Sequence, residues 1–146
     1  MKQIKHIGVY GLIIKDNKIL LIKKKGGPYD GKLDLPGGTI EFNESIEEAL
    51  KRELLEEVGI EILDYNLFDI VSTNIKWSYK DELVETKHIA ILYLINYFKN
   101  DIKENIEITE INDDSMGAEY FDISNLSIEQ LSNIALLALK KLNYNI

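Results

Sequence analysis

Between Ser45 and Gly59 the chain carries the signals of one helix, SIEEALKRELLEEVG, whose apolar stripe runs into three glutamates. Ser45 followed by Glu48 forms a capping box that satisfies the first free N–H groups, and Gly59 supplies a residue able to take the left-handed terminal conformation. No Pro or Gly interrupts the segment. At about 100° per residue, Ile46, Ala49 and Leu50 share one sector, and further steps of three or four residues carry Glu53, Glu56 and Glu57 into it. The pattern predicts a stripe that starts apolar and turns anionic halfway along. Like charges within one turn repel, and partial burial makes them costlier to ionise unless a cation lies between them. A hard divalent cation such as Mg²⁺ prefers carboxylate oxygens, keeps some of its waters and then attracts phosphate. Arg52, with Glu48 and Glu56 at i−4 and i+4, can brace the group but cannot neutralise three carboxylates. A solvated acidic face is the plain alternative, and it leaves the continuation of the apolar stripe unexplained.

The rest of the composition bounds the problem. A chain of 146 residues, 45% of them hydrophobic, can bury one substantial core, so residues 1–146 are read as a single domain. There are no cysteines, which excludes disulfides, zinc-thiolate sites and thiol catalysis and is compatible with a cytoplasmic location. The N-terminal apolar run is broken by Lys15 and Asp16 and lacks a small-residue cleavage site, so it reads as a strand and not as a signal peptide. The longest apolar run, Ile89 to Ile95, is too short to cross a bilayer, so no membrane association is expected. A net charge of −8 argues against binding a nucleic-acid polymer, which requires basic surface. Small phosphorylated partners remain compatible, because a metal ion offsets local acidity.

Around the helix the sequence alternates between strand and turn signals. Ile4 to Ile14 and Ile19 to Lys24 are β-branched runs separated by a hairpin signal, Lys15-Asp16-Asn17-Lys18. A glycine-rich loop from Gly26 to Gly31 and a brief strand precede the helix. After it, Ile60 to Phe68, Ile70 to Trp77 and Leu83 to Phe98 read as strands, with a turn at Lys80-Asp81. A polar stretch from Lys99 leads to Ile106–Ile111, a loop through Asp113 and Asp114, and a short strand at Tyr120-Phe121. Ser127 with Gln130 is a second capping box, placed before the helical stripe Leu131, Ile134, Ala135, Ala138 and Leu142. Strands on both sides of one helix and a helix at the end predict a layered α/β domain.

The residues Gly38, five positions, Glu44, seven positions, Arg52-Glu53-Leu54, one position, Glu56-Glu57, one position, Gly59-Ile60 resemble the signature box of the Nudix hydrolase family, with every specified position filled. Leu35-Pro36-Gly37-Gly38 is similar to the family's usual entry to the box. The resemblance implies an α/β/α sandwich in which a mixed β-sheet is flanked by the box helix and a C-terminal helix. It also implies Mg²⁺- or Mn²⁺-dependent hydrolysis of a nucleoside diphosphate linked to another group. By the same resemblance, Glu53, Glu56 and Glu57 are metal-ligand positions, the Gly38 carbonyl is a further one, and Glu44 either assists the metal or caps the loop. The general base lies either within the box, where Glu53 held next to Arg52 is one candidate, or on the later loop at Asp113 or Asp114, and Glu56 is expected to be essential for metal-dependent turnover.

For the substrate, Lys23, Lys24 and Lys25 could meet phosphate, and Tyr29, Phe42, Trp77 and Tyr79 could stack on a base. Thr39 stands where many relatives carry a basic residue. His6 and His88 sit on expected strands at no metal-site spacing and read as structural. Pro28 and Pro36 are the only prolines and neither follows the box, so the downstream proline of many ADP-ribose-hydrolysing relatives is missing. The pattern of coenzyme A hydrolases is not evident either, and the Trp77–Tyr79 pair matches dinucleoside polyphosphate hydrolases imperfectly. A nucleoside triphosphate pyrophosphohydrolase is the leading expectation, ahead of a hydrolase of ADP-ribose, nucleotide sugars or dinucleoside polyphosphates. A non-catalytic nucleotide-binding module would predict broken box positions. A homodimer is a further expectation from the family, and the aromatics near Trp77 would suit an interface.

Overall fold

The computed structural model describes residues 1–99 and 115–146. Its elements in chain order are β1 (Lys2–Leu12), β2 (Ile14–Lys15), β3 (Lys18–Lys24), β4 (Leu33–Asp34), β5 (Gly37–Thr39), α1 (Ile46–Val58), β6 (Glu61–Tyr79), β7 (Glu82–Lys99), β8 (Ser115–Asp122) and α2 (Asn133–Lys141), with two short 3₁₀ turns before α2. Both expected hairpin turns form. Asp16 and Asn17 take φ of 52° and 63°, and Lys80 and Asp81 take 48° and 64°. Positive φ at both central residues is the two-residue geometry whose twist matches that of the strands it joins.

One sheet runs β5-β1-β7-β6. Its β1 and β7 are parallel over their full overlap, Lys2 opposite Val84 through Leu12 opposite Leu94, and the other pairs are antiparallel. In the second sheet, β3 holds β2 and β4 along one edge and β8 along the other. Alternation along the strands feeds two cores. Tyr10, Leu12, Ala90 and Leu92 pack toward Ile134, Ala135, Ala138 and Leu139 of α2. Val9, Ile13, Ile91, Tyr93 and Ile95 pack toward Ala49, Leu50, Leu54 and Val58 of α1. Helices on both faces of a mixed sheet make the expected α/β/α sandwich.

Several local expectations change. The runs Ile60 to Phe68 and Ile70 to Trp77 are one continuous strand, because register shifts between Ile62 and Asp64, Asp64 and Tyr65, and Leu67 and Asp69 absorb the breaks in alternation. Asp69, at one of those shifts, caps the Ile70 amide at 2.7 Å and meets Lys141 of α2 at 3.4 Å. The Ser127–Gln130 box opens a 3₁₀ turn, not the long helix. Helix α2 starts after Ser132, whose hydroxyl accepts from the Ala135 amide and donates to buried Asp34 at 2.6 Å. Asp34 thereby ties α2 to the strand that leads into Gly37. The region Ile106 to Asp114 lies outside the described residues.

On β7 the alternation that buries Val84, Ala90 and Leu92 also buries Thr86 and His88. Neither is left without a partner. Trp77 Nε1 donates to Thr86 Oγ1 at 2.9 Å, and His88 lies between two tyrosine hydroxyls, Tyr10 at 2.8 Å from Nε2 and Tyr29 at 2.8 Å from Nδ1. Burial, then the charges of His6 and Lys24, push His88 down to about 3. In the unfolded chain a histidine takes its proton near 6.5, so between these two values the unfolded state binds more protons and stability falls as the pH is lowered. The urea midpoint of the wild type is expected to drop between pH 7 and pH 4, His88 contributing up to about 1.4 kcal/mol per pH unit, and the drop should be shallower in His88→Gln. Equal slopes in the two proteins would contradict the neutral, buried histidine.

Candidate active site at the Gly37–Thr39 strand and helix α1

Ser45 caps α1 as the sequence implies: its hydroxyl accepts from the Glu48 amide at 3.1 Å, and Glu48 accepts from the Ser45 amide at 2.8 Å. Gly59 closes the helix at φ 74°. Substituting such an N-cap by alanine ordinarily costs about 1 kcal/mol. The buried face is Ala49, Leu50, Leu54, Glu57 and Val58, while Ile46 is 40% exposed. The apolar stripe therefore does not stop halfway, as the sequence pattern suggested; Leu54 and Val58 continue it. Of the three glutamates only Glu57 takes a fully buried place within it, while Glu56 turns to solvent.

Each carboxylate has a definite seat. Glu57 Oε1 accepts from the Gly37 amide at 2.7 Å. Gly37 itself must be glycine for its packing on β1: at φ 147° a Cβ there would lie 2.1 Å from the Val9 carbonyl oxygen. Glu53 lies against the next residue, where a Cβ on Gly38 would stand 2.7 Å from its Oε1. Arg52 Nη1 donates to Glu53 Oε1 at 2.9 Å and, more weakly, to Glu56 Oε2 at 3.4 Å.

The remaining donors of Arg52 correct its expected pairing. Glu48 is engaged by the capping box, and the guanidinium instead grips Glu44 with two bonds, Nη2 to Oε1 at 2.7 Å and Nε to Oε2 at 3.0 Å. Nη2 also donates to the Thr39 carbonyl at 3.1 Å. Glu44 in turn accepts from the Glu41 amide at 2.8 Å, so it closes the loop before α1. The Arg52 hydrogen bonds, with the Glu41 amide, pull the Glu44 carboxyl down to about 2, and Arg52 itself is held above its ordinary range. The pairing was not readable from helix spacing because Glu44 precedes the helix.

Glu41 and Glu44 from the loop and Glu53 and Glu56 from α1 thus surround one guanidinium, with Glu57 on the Gly37 amide, an excess of negative charge made wholly of oxygen ligands. Among the described residues no three acidic or histidine side chains converge as a ready cation cage, since their carboxylates are shared between Arg52 and the Gly37 amide. The donor chemistry suits a hard divalent cation, and the Cβ-free Gly38 leaves room for one carboxylate against the strand.

Of the expected substrate groups, Tyr29 and Trp77 fall on the α2 side of the sheet. Tyr29 is buried on the 25–32 loop, its hydroxyl on His88. Lys24, at the end of β3, is close enough to His88 to depress its proton affinity. Trp77 is half-buried on β6, bonded to Thr86, and stacks obliquely on Tyr79 at 5.9 Å. Phe42 projects fully exposed from the loop that Glu44 closes. Asp113 and Asp114 lie outside the described residues. Sequence reading passed over the link among Tyr10, His88 and His6. Its only signal was the pair of polar residues, Thr86 and His88, at positions of β7 that alternation assigns to the core.

Comparison with known proteins agrees with this geometry. The NUDIX domain model matches residues 4–141. The chain is 36% identical over 120 residues, 82% of its length, to the ADP-ribose pyrophosphatase of Methanocaldococcus jannaschii, and spans 63% of that protein. It is 44% identical over 73 residues to the 8-oxo-dGTP diphosphatase of Buchnera aphidicola subsp. Schizaphis graminum, covering 49% of this chain and 53% of the relative. Among solved structures, the MutT NUDIX hydrolase from Burkholderia pseudomallei superposes with a TM-score of 0.75 at 27% identity, over 94% of this chain and 98% of that one.

The seat of Glu53 gives a direct test. Gly38→Ala should leave the melting temperature within about 4 °C of wild type, since the conflicting group is a movable side-chain end, yet displace the Glu53 carboxylate from the strand in a crystal structure of the variant. An unmoved Glu53 would refute the close contact.

Proposed function

Because the chain belongs to the Nudix hydrolase family, we propose that it is a divalent-metal-dependent hydrolase of a nucleoside diphosphate linked to another group, acting first on nucleoside triphosphates to give a monophosphate and pyrophosphate. The observation that carries the hydrolase reading is the set of box carboxylates held on one side of α1 against Gly37 and Gly38, with Arg52 fixing their spacing. Glu53, Glu56, Glu57 and the Gly38 carbonyl would hold Mg²⁺ or Mn²⁺. When bound, such an ion polarises phosphoryl oxygens and makes water a stronger nucleophile.

The protein's own groups do the remaining work. Glu53 lies between Arg52 and the strand, where it can accept the proton of an attacking water, and Arg52 holds that carboxylate in a fixed direction. Attack of that water at one phosphorus of the bridge breaks the P–O bond to the neighbouring phosphate, which leaves with the electron pair. Lys24 would meet the phosphates, and Trp77 and Phe42 would offer aromatic surfaces to a base. Triphosphates are favoured as substrates by the similarity to proteins named 8-oxo-dGTP diphosphatase and oxidized purine nucleoside triphosphate hydrolase. ADP-ribose is the second reading, favoured by the 36% identity to an ADP-ribose pyrophosphatase. Among the described residues no helix is long and apolar enough to cross a membrane.

A Mg²⁺-dependent panel of ordinary and oxidised purine triphosphates, ADP-ribose, nucleotide sugars and dinucleoside polyphosphates, with products identified by chromatography, separates these readings. Monophosphate plus pyrophosphate from a triphosphate is expected; turnover of ADP-ribose alone would move the assignment to the second reading. Glu56→Gln should abolish metal-dependent turnover with a melting temperature within about 4 °C of wild type, since Glu56 is 61% exposed. Full activity in that variant would remove Glu56 from the site.

A further inference from the structure

The box accounts for one side of the Gly37–Thr39 strand. Its other side is held by a group of polar rings, three of them buried, that the proposed chemistry leaves unused. Tyr10 is the cross-strand partner of Gly37. Its ring lies along β1 in the space left by two glycines: a Cβ on Gly37 would stand 2.7 Å from Tyr10 Cδ1, and one on Gly8 would stand 2.5 Å from the Tyr10 hydroxyl. That hydroxyl is 2.8 Å from His88 Nε2, and the opposite ring nitrogen is 2.8 Å from the hydroxyl of Tyr29. The His6 ring stacks on His88 with centroids 4.5 Å apart, and His6 Nε2 is 2.9 Å from the hydroxyl of Thr39.

His88 therefore reaches the strand by two routes, through Tyr10 to Gly37 and through His6 to Thr39. The same two residues are gripped from the α1 side, Gly37 by Glu57 and Thr39 by Arg52. A neutral imidazole has one donor and one acceptor, so one tyrosine must donate to it and the other accept from it. Such a hub fixes orientation as well as distance. Apolar packing alone would require neither hydroxyl. Tyr10 also senses the box electrically: after burial, Asp34 and Tyr29, the charges of Glu57 and Glu53 raise its proton affinity.

We propose that His88, with Tyr10, Tyr29 and His6, is a positioning network that sets the Gly37–Thr39 strand, and through it the Gly38 carbonyl and Glu57, for a divalent cation. The inference rests on the metal-dependent reading above. His88 and its partners touch neither substrate nor metal; they act through the strand, as outer-shell groups act on the ligands they orient.

The test is Mn²⁺ binding to the 146-residue chain, followed by electron paramagnetic resonance, in the wild type, Tyr10→Phe, Tyr29→Phe and the exposed control Tyr97→Phe. Both phenylalanine changes keep the ring and remove one bond to His88. They should weaken Mn²⁺ binding about tenfold, with Tyr97→Phe unchanged, and added Mg²⁺ should restore kcat because the defect is in occupancy. If Tyr10→Phe does not fold, Tyr29→Phe carries the same expectation from the loop side. Variants that bind Mn²⁺ within about twofold of wild type, whatever their melting temperatures, would overturn the network. A wild type that binds no Mn²⁺ would overturn the metal reading and the network together, whereas wild-type binding with unaltered variants overturns the network alone.

Discussion

A single guanidinium joins the three segments on which the site depends. Arg52 reaches the Thr39 carbonyl on β5, Glu44 in the loop before α1, and Glu53 and Glu56 on the helix itself. Only a planar fork with several donors can satisfy partners in so many directions; a lysine is a point charge on a flexible stem. The geometry is sustained from behind by close backbone packing. Gly38 lets the Glu53 carboxylate come against the strand and Gly37 lets the strand come against β1, since a side chain at Gly38 would occupy the space of Glu53 and one at Gly37 that of the Val9 carbonyl and Tyr10. Charge alone would drive these glutamates apart, and the arginine and the two glycines are what keep them together.

Much of the fold could be read from patterns whose cause is local. The capping box at Ser45, the terminal glycine at 59 and both two-residue turns depend on a few neighbouring residues, and all form. The α/β/α layering followed from apolar alternation on the strands flanking a helix. Expectations failed where the deciding partner is distant in sequence. Asp69 reads as a gap between two strands until the register shift against β7 and the lysine of α2 are known. Ser127 offers a cap in sequence, yet Asp34 draws the true start of α2 to Ser132.

The site shows the same division. The box positions are linear and were legible as a motif, but the seat of each carboxylate was not. Helix spacing gave Arg52 its i+4 partner Glu56 but missed Glu44, its strongest, because it sees only residues on the helix. The buried hub at His88 was invisible for a related reason: His6, Tyr10, Tyr29 and His88 come from two strands and a loop, and each taken singly reads as an ordinary strand or loop residue. The polar interruption of β7 was a signal that something must satisfy those groups, without saying what.

The parallel pairing of β1 with β7 bears on how the molecule comes into being. Neighbours in that ladder are about 80 residues apart, as in the Gln3–Glu85 bond with its separation of 82 positions. Loop closure over that span comes late, and high contact order slows folding. A nascent chain that has emerged only as far as β6 already contains the whole carboxylate helix and its arginine, yet it lacks the central strand that anchors β1 and, through β1, the glycine pair. During synthesis the helix segment therefore emerges before the surface it packs on, and the site is completed only when the middle of the sheet arrives.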